Sequence, residues 1–473
     1  MITALRVATI ALGLAVAILP ARAQTSDASK IRELEARLVE LERTLETLRA
    51  ESDVPTERIE ELERAIAVLS HEVEDLKLGD AATVTSDRGS FGLGPAASKV
   101  YRSERGVSVG GYGEMLYESF DDARQDGQPS DAIDQLDFLR AVLYFGYKFN
   151  DRILFNSEIE WEHATTSNGG NGEVSVEFAY LDFTFHDLIN ARAGMVLVPM
   201  GFLNELHEPP IFLGARRPYV EQALLPTTWR ENGAGVFGEN DRISYRAYVH
   251  TALAGVEGNS SGSSGFDQGG VRNGRSKGSR SPADELAISG RFDWFAAPGL
   301  VVGLSAYRGD AGQGASVNTD GSGGTVDAVT TIVDAHVDYR WRGLQARGVW
   351  VDTTIDDVAR LNAAQAARGV LEPGESIGES QYGWYAEVGY DLLAASSGTE
   401  QALIPYLRYE RYDTQDEVPE AFDRDPSFDR TVVTAGVAWK PITQVVVKAD
   451  YNRLENEADT GVDQINAALG FMF

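Results

Sequence analysis

The sequence predicts an all-β fold, a sixteen-stranded antiparallel transmembrane β-barrel, preceded by an α-helical coiled coil. Three observations predict it. From about Gly106 to Phe473 short stretches alternate apolar and polar side chains, the connections between them are in turn long and tight, and a heptad seam of Ile, Leu and Val precedes them all.

The chain opens with Arg6, an apolar run from Val7 to Leu19, then Pro20 and Ala21-Arg22-Ala23. A charged start, a hydrophobic middle and small residues describe an export signal over 1–23, cleaved before Gln24. No later stretch reaches the roughly 18 apolar residues of a spanning helix. With no cysteine in the chain there is neither a disulfide framework nor a lipid-modified Cys, so the barrel itself is the expected anchor.

Residues 24–78 read as a periplasmic coiled coil. Ile31, Leu34, Leu38, Leu41, Leu45 and Leu48, then Ile59, Leu62, Ile66, Leu69, Val73 and Leu76, recur by threes and fours. Ser52 and Pro55 take core positions between the two halves without a loss of register, which favours one kinked rod of roughly 70 Å over a hairpin. The Ile/Val-then-Leu pattern of the second half leans towards a dimer. Residues 79–105, with Gly89, Gly92, Gly94 and Pro95 among small polar residues, read as a linker placed at the periplasmic mouth.

The barrel is expected over 106–473. Strands begin near Gly106, Asp134, Arg152, Glu173, Ile189, Gly233, Arg242, Asp284, Gly299, Asp327, Gly343, Glu379, Glu400, Phe428, Ile442 and Asp463. Tight connections such as Asn150-Asp151, Asn240-Asp241, Ala297-Pro298 and Lys440-Pro441 define one rim, and long ones such as Pro199 to Asn232 define the other. Within strands, Leu139, Ala141, Leu143, Phe145, Tyr147 and Phe149 oppose Arg140, Tyr144 and Lys148; Val333, Ala335, Val337, Tyr339 and Trp341 oppose Asp334, His336, Asp338 and Arg340. A soluble sandwich also alternates, with its apolar face inward. Aromatic residues gathered towards strand ends favour the lipid-facing alternative.

Lys and Arg total 42 against 72 Asp and Glu, a formal charge of -30, which excludes nucleic acid as a partner because a phosphate backbone is repelled. The mature protein is therefore expected in the outer membrane of a Gram-negative bacterium, in contact with outer-membrane lipid.

Gly92-Leu-Gly-Pro-Ala-Ala-Ser-Lys-Val-Tyr101 resembles a family signature, as do Gly110-Gly111-Tyr112-Gly113-Glu114, Leu139-Arg140-Ala141 with Phe145-Gly146-Tyr147, Ala179-Tyr180-Leu181-Asp182-Phe183, and the element from Pro199 to Arg230. The chain is similar in these segments to bacterial outer-membrane porins related to the phosphate-selective porin O/P family. The resemblance implies a trimer, a long third loop folded inward, and Phe473 as a carboxyl-terminal insertion signal. Anion selectivity does not carry over with it, because the inner faces expected to line the pore are mixed in sign: Arg140, Lys148, Arg246, Arg291, Arg340, Arg408 and Lys448 stand among Glu158, Glu160, Asp334, His336, Asp338, Glu387, Glu410 and Asp450.

The third loop carries the constriction candidates Glu205, His207, Glu208, Arg216, Arg217 and Arg230 beside Phe202, Ile211, Phe212, Leu213, Tyr219 and Trp229. Such apolar anchors suit a loop lying on the inner wall, with Arg216-Arg217 facing Glu205 or Glu208; an external loop packed on itself or on a neighbouring subunit is the alternative. The Gly/Ser-rich stretch 255–282 carries Arg272, Arg275, Lys277 and Arg280, either an attraction for anions or a flexible tip.

No catalytic, cofactor or metal site is expected: after His207-Glu208 come two prolines, with Ile211 where a zinc helix needs its second His. The functional expectation is passive diffusion of ions and small hydrophilic solutes through a water-filled barrel. An anion- or phosphate-selective channel, or a tether reaching the cell wall through the coil, are the alternatives.

Overall fold

A computed structural model describes residues 37–39, 41, 43, 45, 89–103, 105–166, 172–396 and 399–473. The chain divides into two units, 1–83 with 396–400, and 84–395 with 401–473. In the first, the described residues between 37 and 45 are helical. The export signal and the rest of the heptad seam lie outside the described residues.

The second unit is a closed barrel. Its strands are β1 (Gly106–Phe120), β2 (Gln135–Asn150), β3 (Ile153–Glu162), β4 (Val174–His186), β5 (Ile189–Leu197), β6 (Arg230–Glu239), β7 (Ile243–Thr251), β8 (Leu286–Ala297), β9 (Leu300–Asp310), β10 (Val329–Trp341), β11 (Leu344–Ile355), β12 (Ser380–Tyr390), β13 (Ala402–Glu417), β14 (Asp429–Ile442), β15 (Val445–Asn456) and β16 (Gln464–Met472). Each pairs antiparallel with its sequence neighbours, and β16 closes on β1 from Tyr112↔Met472 to Phe120↔Gln464. Closure matters physically, because an open sheet edge would leave a row of N–H and C=O groups without partners.

The tight rim is made by side chains that replace the missing ladder bonds. Asn150 Oδ1 accepts from the amides of Arg152 (2.9 Å) and Ile153 (3.0 Å), and Asn240 Oδ1 does the same for Arg242 and Ile243. Strand starts agree with the sequence expectation to within a few residues. The widest gaps are at β15, which begins at Val445 rather than near Ile442, and at β6, which begins at Arg230 because Leu197↔Arg230 and Val196↔Glu231 continue the ladder. Arg230, expected in the loop, is therefore a strand residue.

Apolar side chains face outward. Phe145, Tyr147, Phe149, Leu304, Val337, Val388, Leu407 and Leu469 are all exposed, while Asn156, Glu158, Glu160, Asp334 and His336 on the opposite face are buried. Exposed Trp294, Trp341, Tyr390 and Phe473 lie towards the tight rim, and Trp161, Trp350, Trp384 and Tyr451 towards the long-loop rim. This is inside-out relative to a water-soluble sandwich.

The interior is packed rather than hollow. In the long-loop half, Phe202 and Trp229 of the loop after β5, Val256, Phe266 and Val271 of the loop after β7, and Val358, Leu361 and Ala364 of a short helix after β11 form one apolar cluster against Tyr307, Ile332, Val351 and Tyr385 of the wall. Near the tight rim a second cluster joins Leu93, Ala96 and Ala97 to Tyr112, Tyr144, Phe178 and Tyr180. The described part of the 79–105 segment is thus folded into the barrel, through a one-turn helix α1 (Lys99–Arg102). Its glycines, alanines and serines read as a linker, while Phe91, Leu93, Val100 and Tyr101 between them pack against the wall.

Candidate functional site

The lumen is shaped by the loop 198–229 and the segment 89–103. Prolines at 199, 209, 210, 218 and 226 bar this loop from continuing the sheet. Asn204 closes its neck: the side-chain amide donates to Val198 O (2.6 Å) and Trp229 O (2.9 Å), and its oxygen accepts from Trp229 N (2.7 Å). Glu221, on α2 (Tyr219–Ala223), folds the loop back on itself by accepting from the Phe202 and Leu203 amides, while Tyr385 of β12 donates to its other oxygen at 2.6 Å.

From that neck the loop reaches wall positions on widely separated strands. Gly201 N donates to Asp334 on β10, Val220 N to Glu410 on β13, and Ala215 N to Asp450 on β15. Lys448 donates to Gly214 O at 2.8 Å, with its ammonium 3.6 Å from the Phe212 ring centroid. Glu205 meets Arg246 at 2.9 Å and Arg291 at 3.7 Å, and His207 meets Glu158 at 3.1 Å. An isolated charge in so enclosed a place costs several kcal/mol, so each charge is seated on an opposite one or on a backbone dipole.

The remaining candidates are paired along the wall. Arg140 bridges Glu160 (3.0 Å) and Glu114 (3.4 Å); His336 lies between Asp334 (2.6 Å) and Asp293 (2.8 Å); Arg408 holds Glu410 (2.8 Å) and Glu387 (3.2 Å). Asp338 is shared by Arg340 and Arg347. Arg230 pairs with Glu177 at 2.7 Å, and Lys148 donates to Ser103 O at 2.8 Å. The structure does not set Arg216-Arg217 against Glu205 or Glu208. Arg216 pairs with Glu118 instead, and Arg217 donates to the His207 carbonyl at 3.5 Å. The reason is geometric, since Glu205 is taken by the two wall arginines and Glu208 points into segment 89–103.

There the Glu208 carboxylate accepts from the amides of Ala96 (3.1 Å) and Ala97 (3.0 Å). Burial pushes this carboxyl up to about 7, against the opposing pull of the two amides and His207. Asn156 donates to Ala97 O at 2.9 Å, and Tyr101 donates to Asp182 at 2.6 Å while accepting from Arg192 at 2.8 Å. Burial raises the Tyr101 hydroxyl well above its usual value, so it stays protonated and donates. Arg192 pairs with Asp182 at 2.8 Å and stacks over Tyr180, 3.9 Å from the ring centroid. Sequence reasoning missed this cluster as a site. Its signal was parity, since Asp182 on β4 and Arg192 on β5 fall at inward-facing positions of their strands.

A cavity of about 690 Å³ remains at the tight rim, lined by Leu93, Leu206, Arg291, Asp293, Asp338 and Arg340 among others. At the opposite end, Arg272 donates to Gln222 O (2.9 Å) and Arg275 to Thr227 O (2.6 Å). Among the described residues no carboxylate pairs with Arg217, Arg272 or Arg275. Burial and then neighbouring guanidiniums lower Arg272 to about 10 and Arg275 to about 9.

For chemistry the arrangement offers little. His250 bonds Ser289 Oγ at 2.9 Å, yet its other nitrogen meets the Thr251 carbonyl rather than a carboxylate, and the pair is sealed in the wall. Among the described residues no three His, Cys, Asp or Glu side chains are grouped to hold a metal.

No family model matches the chain. A protein of Aquifex aeolicus (strain VF5), described as uncharacterized, is 36% identical over 385 residues, or 81% of this chain and 83% of that one. Among solved structures, OmpF of Salmonella typhi in complex with daunomycin gives a TM-score of 0.50 at 11% identity, over 79% of this chain and 99% of that one. An anion-selective porin of Comamonas acidovorans gives 0.46 at 12% identity, over 78% and 99%. The OmpF likeness concerns the barrel fold alone.

Proposed function

We propose that this chain, which belongs to one family with the Aquifex aeolicus protein, is an outer-membrane channel for passive diffusion of ions and small hydrophilic solutes. The observation that carries the reading is the inverted polarity of the barrel. Leu304, Trp341 and Leu407 face outward, where exposure to water would be costly, and Glu158, Asp334, Arg408 and Asp450 are among the charged groups that face inward. A hydrocarbon layer solvates that exterior, and ions or polar solutes are solvated by that interior. The test is conductance of the purified protein in planar bilayers; silence of the native protein and of variants with segment 89–103 displaced overturns the reading.

A preference for anions is favoured by Arg217, Arg272 and Arg275, which lie together under the long loops and donate to carbonyl and hydroxyl oxygens. Among the described residues no carboxylate pairs with them directly, whereas the deeper wall is a mosaic of matched pairs. Reversal potentials in a salt gradient decide it. The anion reading expects a shift towards the anion equilibrium potential that shrinks in Arg272→Gln/Arg275→Gln, and cation preference in the native protein ends it.

A further inference from the structure

We propose that residues 89–103 are a reversible gate, closing the tight-rim mouth of the lumen when seated and opening it when withdrawn. This rests on the channel reading above.

The seat is built for its occupant. The wall thins where the segment presses against it: a Cβ at Gly110 would lie 2.8 Å from Ala96 O, and one at Gly146 would lie 2.7 Å from Val100 Cβ. Leu93, Ala96, Ala97 and Val100 are buried against this wall, and Phe91 meets the rings of Tyr101 and Phe237 edge-on at 5.0 Å. Lys148, Asn156 and Asp182 supply polar anchors from β2, β3 and β4, and Glu208 supplies one from the loop.

What makes the seat reversible is the state of the wall after withdrawal. Asp182 and Arg192 remain paired through two hydrogen bonds, at 2.8 and 3.0 Å, without Tyr101. Lys148 and Glu208 would face the water that replaces the segment, and Asn156 keeps Tyr180 within reach at 3.3 Å. No charge is stranded in a dry site, which is the usual reason for a buried ionic contact to be permanent.

The chain has no cysteine, so a disulfide placed between segment and wall is unambiguous. Val100→Cys/Gly146→Cys puts the two Cβ atoms close enough for a bond after a small outward adjustment of the segment. In bilayers the oxidised protein is expected to conduct at least about tenfold less than the same protein after reduction. The unlatched variant Tyr101→Phe/Glu208→Ala, which needs no disulfide, is expected to raise the open fraction by roughly tenfold. Equal conductance before and after reduction, or native open fraction in the unlatched variant, overturns the gate while native conductance leaves the channel reading standing. Silence of every form, reduced and unlatched included, overturns both.

Discussion

Loop 198–229 and segment 89–103 both occupy the lumen, yet they are held in opposite ways. The loop is covalently fixed at both ends by β5 and β6, and its contacts are spread around the ring, on β3, β7, β10, β13 and β15. Lifting it would take His207 from Glu158 and the Gly214 carbonyl from Lys448, while Asp334 and Glu410 would keep His336 and Arg408. The segment joins the barrel at β1, and its polar contacts fall on the consecutive strands β2 to β6 and the loop itself. Lifting it leaves the wall's strongest pair intact. Permanence in a crowded polar interior thus depends less on how much is buried than on which charges the departure would leave alone.

The comparison is broken most severely at the loop's neck. Trp229→Ala removes a fully buried ring packed on Tyr307 at 4.8 Å and is expected to cost about 4 kcal/mol, read as a lower melting temperature of the folded barrel. Asn204→Ala deletes the three neck hydrogen bonds and is expected to cost about 3 kcal/mol by the same measurement. Neither expectation survives if the melting curve is unchanged. Tyr101→Phe sharpens the contrast from the other side. It should weaken seating of the segment by about 1 kcal/mol, seen as faster amide exchange confined to residues 89–103, while barrel melting stays put.

The smallest effect is in pH. Glu208 faces His207 on its own loop, Glu158 and Tyr144 on the wall, and the Ala96 and Ala97 amides of the segment. Its folded value of about 7 stands above the ordinary 4.5, so its stabilisation of the packed state is full below about 4.5 and is lost as pH rises through about 7. Exchange in 89–103, corrected for intrinsic rates, should therefore be slower at about pH 5 than at about pH 8. Glu208→Gln should flatten that difference, and an unchanged slope in the variant would remove Glu208 from the account.

The strands were legible because the side-chain alternation that marks them is local: Ile153, Phe155 and Trp161 against Asn156, Glu158 and Glu160 declare two faces within one stretch of ten residues. The inward lie of loop 198–229 was half legible, through Phe202, Phe212 and Trp229, which no solvated loop requires. Its partners were not. Whether Glu205 meets Arg216 or Arg246 depends on where distant strands stand around a closed ring, and no spacing along the chain encodes that. Segment 89–103 was the least legible, because Gly, Ala and Ser describe equally a chain that touches nothing and one threaded through a narrow space.

An even number of strands brings both ends of the sheet to the same rim. The Phe473 carbonyl accepts from Gly111 N at 3.0 Å, one residue along from Gly110, where Ala96 presses from within. Strand β1 is therefore zipped along one edge by the last residues of the chain and braced from inside by the residues that precede it. Anything that pries at that seam also jostles the stopper, so ring closure and occlusion share a single mechanical hinge line.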